Sequence, residues 1–222
     1  RIGLAGTTPI PIVGGSRVSG QAGRYDVGVL AMRTESLGST PANNYYVGRV
    51  KRNLLARSWV GALMTSRDST RSGDYNRVYG TDAFFVFFNK LEIDSYVLRS
   101  DTPGKSGRDM AGKVLAAWRG DEWVFAGEYN TVQRNFDPQV GFIRRKDATQ
   151  YSGDVNWQPR LRRSRTIRNL IFQTSADRFA DSDGRRDQFE RPCAQQQQSE
   201  HGRFQQAHAL AHRDEFARRP FA

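Results

Sequence analysis

Three carboxylates lie close together in the middle of the chain, and paired carboxylates are the groups that glycosidases use. Glu92 and Asp94 are two positions apart, so in a strand they share a face with their Cα atoms about 7 Å apart. Glycoside hydrolysis needs carboxyl groups separated by about 5 to 10 Å. Such a spacing is also common by chance. A structural role, in which the carboxylates face a polar interior or pair with arginine, also explains them. We favour that structural interpretation, also for Asp101, and predict no catalytic residue.

Two other segments resemble cofactor-binding loops only in part. Residues 102–107 contain the Gly-Lys-Ser of a phosphate-binding loop, but Arg99 stands where that loop needs its first glycine. The glycines between residues 14 and 23 follow no apolar strand and precede no helix, so they suit bends in strands better than a dinucleotide site. We therefore predict a polar loop, a glycine-containing strand and no cofactor.

One candidate metal site lies near the end of the chain. His208 and His212 are four residues apart, which would place both imidazoles on one face of a helix. A zinc protease would need glutamate after the first histidine, but Ala209 is there. Cys193 could complete a loose site, yet we favour a tail without metal.

The formal net charge of +11 over 222 residues is the strongest feature of the composition. Such an excess suggests nucleic acid or another anionic surface as a partner. The arginines are spread along the chain, which also suits the interior of a barrel or a rim facing lipopolysaccharide. One cysteine excludes a disulfide framework, and no apolar run is long enough for a transmembrane helix.

Ten segments alternate apolar and polar residues and end at turn residues, which predicts β-strands. They are residues 10–22, 23–35, 43–52, 56–67, 76–88, 90–100, 111–119, 122–133, 149–158 and 167–179. Alternation suits either a membrane barrel or a soluble sandwich. Many of these segments are about twice as long as the usual strand of about 5 to 6 residues. The sequence therefore favours an all-β fold of antiparallel up-and-down strands, part of an outer-membrane β-barrel, over residues 1–180.

Four tryptophans fall at or near the predicted strand ends. They are Trp59, Trp118, Trp123 and Trp157. In a barrel, these positions predict an aromatic girdle at the boundary between membrane and water. In a soluble sandwich they would belong to the core.

A motif between two predicted strands combines aromatic, proline and arginine residues. Its members are Asn135, Phe136, Asp137, Pro138, Gly141, Phe142, Arg144 and Arg145. Proline cannot continue a strand ladder, so a turn should begin at Asp137-Pro138. One interpretation makes Arg144 and Arg145 contacts for an anionic ligand or lipopolysaccharide. The other, which we favour, is a plug or rim loop packed by Phe136 and Phe142.

Several segments together resemble a large bacterial family known by its barrel domain, DUF5916. They are residues 1–4, 9–20, 50–52, 59–65, 76–83 and, most specifically, 135–145. The resemblance covers residues 1–180 and implies an outer-membrane barrel of which this chain supplies a middle portion. Family members often carry an upstream carbohydrate-binding module of family 9 type, and some are described as glycoside hydrolases. It implies no catalytic residue for this chain.

Residues 181–222 depart from that pattern. Alternation stops, and a glutamine run occupies 195–198. Two interpretations stay open: a flexible or partly helical tail, and a segment translated in a shifted reading frame. Because the chain begins at Arg1 with no leader, we also expect it to be a piece of a longer protein.

These patterns and the resemblance lead to one main expectation. We expect an outer-membrane barrel segment linked to carbohydrate binding or uptake, contacting membrane lipid, lipopolysaccharide and oligosaccharide, without catalysis of its own. One alternative is a component of a membrane-associated glycoside hydrolase. Another is a soluble basic β module that binds nucleic acid, but this needs aromatics interleaved with arginines on one face. The best alternating segments separate the two kinds of residue, so we expect no nucleic acid.

Overall fold

A computed structural model describes residues 2–5, 7–160, 170–181, 186–190 and 195–197 of the protein. All regular structure in these ranges is β. None of their segments forms a helix long and apolar enough to cross a membrane. The expectations for Cys193, His208 and His212 lie outside the described residues.

Fourteen strands follow one another along the described chain. They are β1 (Leu4–Ala5), β2 (Thr8–Pro9), β3 (Ile12–Ala22), β4 (Tyr25–Thr34), β5 (Asn43–Leu55), β6 (Ser58–Ser69), β7 (Tyr75–Phe87), β8 (Leu91–Asp101), β9 (Met110–Arg119), β10 (Trp123–Val132), β11 (Ala148–Trp157), β12 (Ile171–Ala180), β13 (Arg186–Glu190) and β14 (Gln195–Gln197). The ten long strands β3–β12 match the ten predicted segments, with bounds that differ by only a few residues. The alternation of side chains is a local signal, which is why it locates them so well.

The strands pair in the order of the sequence. β1 and β2 form a small separate sheet, and the other strands form one antiparallel sheet of 12 strands. β3 is one edge, while β13 and β14 pair with opposite ends of β12. This confirms the predicted all-β, antiparallel, up-and-down fold. Among the described residues the sheet is not closed on itself.

Neighbouring strands are staggered in a constant direction. One straight row of paired residues crosses the ten long strands at Ala22, Tyr25, Arg52, Val60, Ala83, Ser95, Val114, Tyr129, Tyr151 and Arg178. Tyr25 is the first residue of β4, whereas Arg178 lies seven positions after Ile171, the first residue of β12. The row therefore climbs by roughly one residue per strand, the kind of stagger that accompanies tilted strands.

The connections differ between the two ends of the sheet. At the end that we call the turn end, tight turns join β3–β4, β5–β6, β7–β8 and β9–β10, while residues 158–170 connect β11 and β12. At the other end, the loop end, the connections include residues 35–42, 102–109 and 133–147. The β7–β8 turn is centred on Phe88 and Asn89, with φ angles of 52° and 56°, and Lys90 N donates to Phe87 O.

Candidate functional site

Alternate residues of the long strands project to opposite faces, and the pairing register assigns each residue to one of them. The apolar face carries Tyr25, Val27, Val29, Tyr46, Val50, Met64, Tyr79, Phe85, Val97, Val114, Trp118, Phe125, Tyr129 and Trp157. The charged face carries Asp26, Arg49, Lys51, Asp82, Glu92, Asp94, Lys113, Glu128, Asp154 and Asp177. Many large side chains of the apolar face are exposed, Val29 by 54% and Val114 by 50%.

Aromatic side chains of the apolar face fall into two groups, one near each end of the strands. The group near the loop end is Tyr46, Tyr75, Tyr79, Tyr129 and Tyr151. The group near the turn end is Tyr25, Phe85, Phe87, Trp118, Trp123, Phe125, Trp157 and Phe172. In the second group the ring centroids of Trp123 and Trp157 are 5.6 Å apart, and those of Trp157 and Phe172 are 5.1 Å apart.

Between these groups lies a band without charge. Its side chains are small or apolar, for example Gly127 on β10, Ala83 on β7 and Val114 on β9. Within β3–β12, the charged residues of the apolar face are all close to a strand end. They are Arg33, Arg52, Asp68, Arg77, Arg99, Asp101 and Arg178.

The charged face carries ion pairs between strands. Lys51 Nζ lies 2.8 Å from Asp26 Oδ2, and Lys113 Nζ lies 2.6 Å from Asp94 Oδ2. Arg119 Nε donates to Glu92 Oε2 at 2.8 Å. These contacts place Glu92 and Asp94 among cations on this face, which fits pairing with arginine and lysine better than acid–base catalysis. Asp101 lies on the apolar face.

One ion pair of this face skips a strand. The Arg49 guanidinium on β5 contacts the Asp82 carboxylate on β7 at 2.5 Å, across Gly61 of β6. A Cβ atom at Gly61 would come within 2.6 Å of Asp82 Oδ1. The absence of a side chain at Gly61 therefore lets the carboxylate reach the second neighbouring strand.

The loop 133–147 covers part of the charged face near the loop end. Its Phe136 side chain is 1% exposed and belongs to a hydrophobic cluster. The other members of that cluster are Val78, Leu98, Ala111, Val132 and Ile143. Burial of a phenylalanine side chain contributes about 2 to 3 kcal/mol, so this cluster helps to hold the loop against the sheet.

Hydrogen bonds to Asn76 fix the same loop. Asn76 is fully buried, and its Nδ2 donates to Asp137 O and Thr102 Oγ1, each at 2.7 Å. Its Oδ1 accepts from Gln139 N at 3.2 Å, and Asp137 N donates to Ser100 Oγ at 3.0 Å. Two buried polar side chains of the sheet thus bind the loop backbone directly.

Ion pairs of the Asp137 carboxylate attach the loop further. This carboxylate accepts hydrogen bonds from Lys105 Nζ at 2.7 Å and Lys146 Nζ at 2.8 Å. Burial opposes ionisation, but the hydrogen bonds from Lys105, Lys146 and Gln139 outweigh it and lower the pKa of Asp137 to about 2. Asn135 completes the attachment, since its Nδ2 donates to Gly107 O at 2.8 Å.

The rest of the motif departs in part from the expectation. The chain bends at 139–141, directly after Asp137-Pro138, where a turn was expected to begin. A Cβ atom at Gly141 would lie 3.5 Å from Pro138 Cβ, an ordinary contact distance. Phe142 is 69% exposed, so Phe136 alone is buried under the loop. The expected packing by both phenylalanines is therefore wrong for Phe142.

A cavity of about 640 Å³ lies between residues 142–145 of the loop and the charged face. It is lined by Tyr96, Glu128, Asn130, Val132, Phe142, Ile143, Arg144, Arg145, Ala148, Gln150 and Phe179. The Arg145 guanidinium lies 5.9 Å from the centroid of the Phe179 ring. Arg144 and Arg145 thus border a space over the charged face, beside amide and carboxylate groups.

The four tryptophans do not share one face. Trp118, Trp123 and Trp157 lie on the apolar face at the turn end. Trp59 lies on the charged face, paired with Asn53 and Phe84, and its ring stacks on Phe84 at 6.3 Å. Trp59 is therefore separated from the other three tryptophans, because nearness to a strand end does not determine which face a residue occupies.

Comparison with known proteins identified no match among protein-family models, curated proteins or solved structures. Over the part of the chain that the structure describes, no group of metal-ligating residues could hold a metal ion. Sequence reasoning missed Asn76, Ser100 and Lys146 as residues that hold the loop. Asn76 opens one of the segments that carry the family resemblance, which was the only available signal for it.

Proposed function

We propose that this chain forms part of the wall of a β-barrel in the bacterial outer membrane. The apolar face contacts lipid and the charged face lines a polar interior. The segregation of the two faces across ten consecutive strands carries this proposal. In hydrocarbon every backbone group must pair within the sheet, and outward side chains must tolerate lipid.

The uncharged band supports this arrangement energetically. An arginine or lysine on the lipid face of a barrel costs about 2 to 4 kcal/mol at the bilayer midplane and much less near the interfaces. The apolar face carries charge only near strand ends, whereas the opposite face carries ion pairs along its length. A soluble sheet with one exposed face would place its charges on that face instead.

The dimensions of the band fit a bilayer. Tyr79 and Phe87 of β7 belong to the two aromatic groups and are eight residues apart, or roughly 27 Å along a strand at about 3.4 Å per residue. A stagger of about one residue per strand accompanies a strand tilt near 36° in closed eight-stranded barrels. The band would then be about 22 Å tall, close to the apolar height of about 25 Å in outer-membrane barrels.

The orientation follows from the connections. Outer-membrane barrels have short periplasmic turns and longer extracellular loops. Because four of the five connections at the turn end are tight, we assign this end to the periplasm and the loop end to the outside.

The loop 133–147 narrows the proposed interior on the outer side. Arg144 and Arg145 then face solute in the interior, not lipopolysaccharide in the outer leaflet. A cavity that combines arginine, amide, carboxylate and aromatic groups suits a polar solute. Oligosaccharide is the solute class that the family resemblance implies, and this part of the proposal rests on that resemblance.

Cell fractionation of the protein in its natural host, followed by electrophoresis with and without boiling, tests the proposal. We expect the protein in the outer-membrane fraction and a shift in migration on boiling. Liposome swelling with oligosaccharides of increasing length then tests whether these solutes pass through the barrel. A protein in the soluble fraction whose migration does not change would contradict both the membrane location and the lipid contact.

A further inference from the structure

A depression interrupts the apolar face near the turn end. It measures about 530 Å³ and is bordered mainly by residues of that face. Its floor carries short side chains at Ala62, Ala83 and Ser95, between the taller Tyr25 and Val114. The short residues occupy adjacent strands in the register, so the depression runs across the strands β6 to β8.

The aromatic group is missing at the same place. The turn end of this face carries phenylalanine, tyrosine or tryptophan on β4, β7 and β9–β12, but not on β3, β5, β6 and β8; β5 and β6 present Arg52 and Val60 there. The Arg52 guanidinium lies 5.5 Å from the centroid of the Tyr25 ring. Within the described part of the chain, no carboxylate forms an ion pair with Arg52. An exposed guanidinium therefore lies at the rim of an apolar depression.

We propose that this depression binds one acyl chain of an anionic glycerophospholipid, whose phosphate group is held by Arg52. The site rests on the proposed function, since it requires the apolar face to contact lipid. Arginine binds phosphate oxygens through two parallel N–H groups, and Tyr25 restricts the guanidinium that would do so. A free phosphate ion would leave the apolar depression unused, which is why the ligand is a lipid. At the turn end it belongs to the periplasmic leaflet.

Electron paramagnetic resonance of spin-labelled lipids tests this site with the full chain in phosphatidylcholine vesicles. The measured quantity is the association of labelled phosphatidylglycerol with the protein relative to labelled phosphatidylcholine. We expect a preference of about fivefold, the size of effect that one cation near a membrane surface produces. Arg52→Gln should reduce the ratio to near unity, and Arg52→Lys should retain part of it. Excess inorganic phosphate should not displace the lipid.

Two further variants separate the apolar part of the site from its charge. Ala83→Leu fills the floor of the depression while Arg52 stays, and should reduce the fraction of immobilised lipid. Arg33→Gln removes a cation from the loop end of the same face and should leave the preference unchanged. If Arg52→Gln keeps the full preference, the site is wrong while the proposed function stands. A soluble protein in the fractionation experiment overturns the proposed function and the site together.

Discussion

The two faces of the sheet are built from the same ten strands, yet they differ in almost every chemical property. On β10, Phe125 and Tyr129 lie on the apolar face, while Glu128 and Asn130 lie on the charged face. The apolar face keeps charge to its margins, and the charged face pairs its ions between strands. Because both faces belong to the same strands, strand propensity does not account for the difference. The surroundings of each face decide which residue types occur there.

The largest effect is expected when charge is placed on the wrong face. Ala116→Arg enters the uncharged band of the apolar face, whereas Ala126→Arg on the neighbouring strand enters the charged face beside Asp154. In vesicles we expect Ala116→Arg to lower the free energy of unfolding by about 2 to 4 kcal/mol. Ala126→Arg should cost less than about 1 kcal/mol. Equal losses in urea titrations of the two variants would contradict the difference between the faces.

A glycine on each face provides a second comparison. A Cβ atom at Gly80, on the charged face, would lie 2.1 Å from Val97 O, whereas one at Gly127, on the apolar face, meets nothing within 4 Å. Gly80→Ala should destabilise the sheet by about 1 to 3 kcal/mol because the backbones must move apart. Gly127→Ala should be neutral or stabilise slightly, since alanine restricts the unfolded chain. Denaturant midpoints of both variants measure this contrast.

The loop over the charged face should depend on Asn76. Asn76→Ala removes hydrogen bonds to Thr102, Asp137 and Gln139 and leaves buried backbone groups unsatisfied, at a cost of about 1 to 3 kcal/mol. We expect faster amide hydrogen exchange in 133–147 and little change in β3–β5. Asn130→Ala is the control, because Asn130 Oδ1 is buried without a partner among the described residues. If the amides of 133–147 stay protected from exchange in Asn76→Ala, contacts other than those of Asn76 hold the loop.

A smaller effect should follow from acid. Because the folded pKa of Asp137 is about 2, below its usual 3.8, its ionised form stabilises the loop above pH 4. That stabilisation, roughly 1 to 2 kcal/mol after solvent screening, is lost as the pH falls from 4 toward 2. Hydrogen exchange of 133–147, corrected for its intrinsic pH dependence, should therefore increase over this range. Asp137→Asn should abolish the pH dependence, and a pH dependence that remains in this variant would contradict the role of Asp137.

The strands could be predicted from the sequence, whereas their assembly could not. Alternation within one strand is local, so all ten long strands were predicted. The pairing register depends on neighbouring strands that are distant in sequence. The sequence alone therefore grouped Trp59 with three tryptophans that lie on the other face. The short strands β13 and β14 were not predicted either, because the glutamine run and its surroundings carry no alternation of apolar residues.

The loop 133–147 gives a clearer example of the contrast between local signals and contacts that are distant in sequence. Phe136 in a proline-containing motif indicated a packed loop, but its partners are distant in sequence. The hydrogen bond from Asn76 to Asp137 O joins residues 61 positions apart. No pattern in a single sequence connects such residues, and Lys105 had been considered only as part of an incomplete phosphate loop. The contacts became visible only when the fold brought β7, β8 and the loop together.

The central claim is that alternate residues of one strand contact lipid and a polar interior, and cysteine scanning of β10 tests it most directly. Single cysteines at each position of Trp123–Val132, in a Cys193→Ser background, would carry a fluorophore in reconstituted vesicles. We predict quenching by brominated lipid at Phe125, Gly127 and Tyr129, and quenching by aqueous iodide at Ala126 and Glu128. Iodide access at every position, or the opposite alternation, would contradict the account.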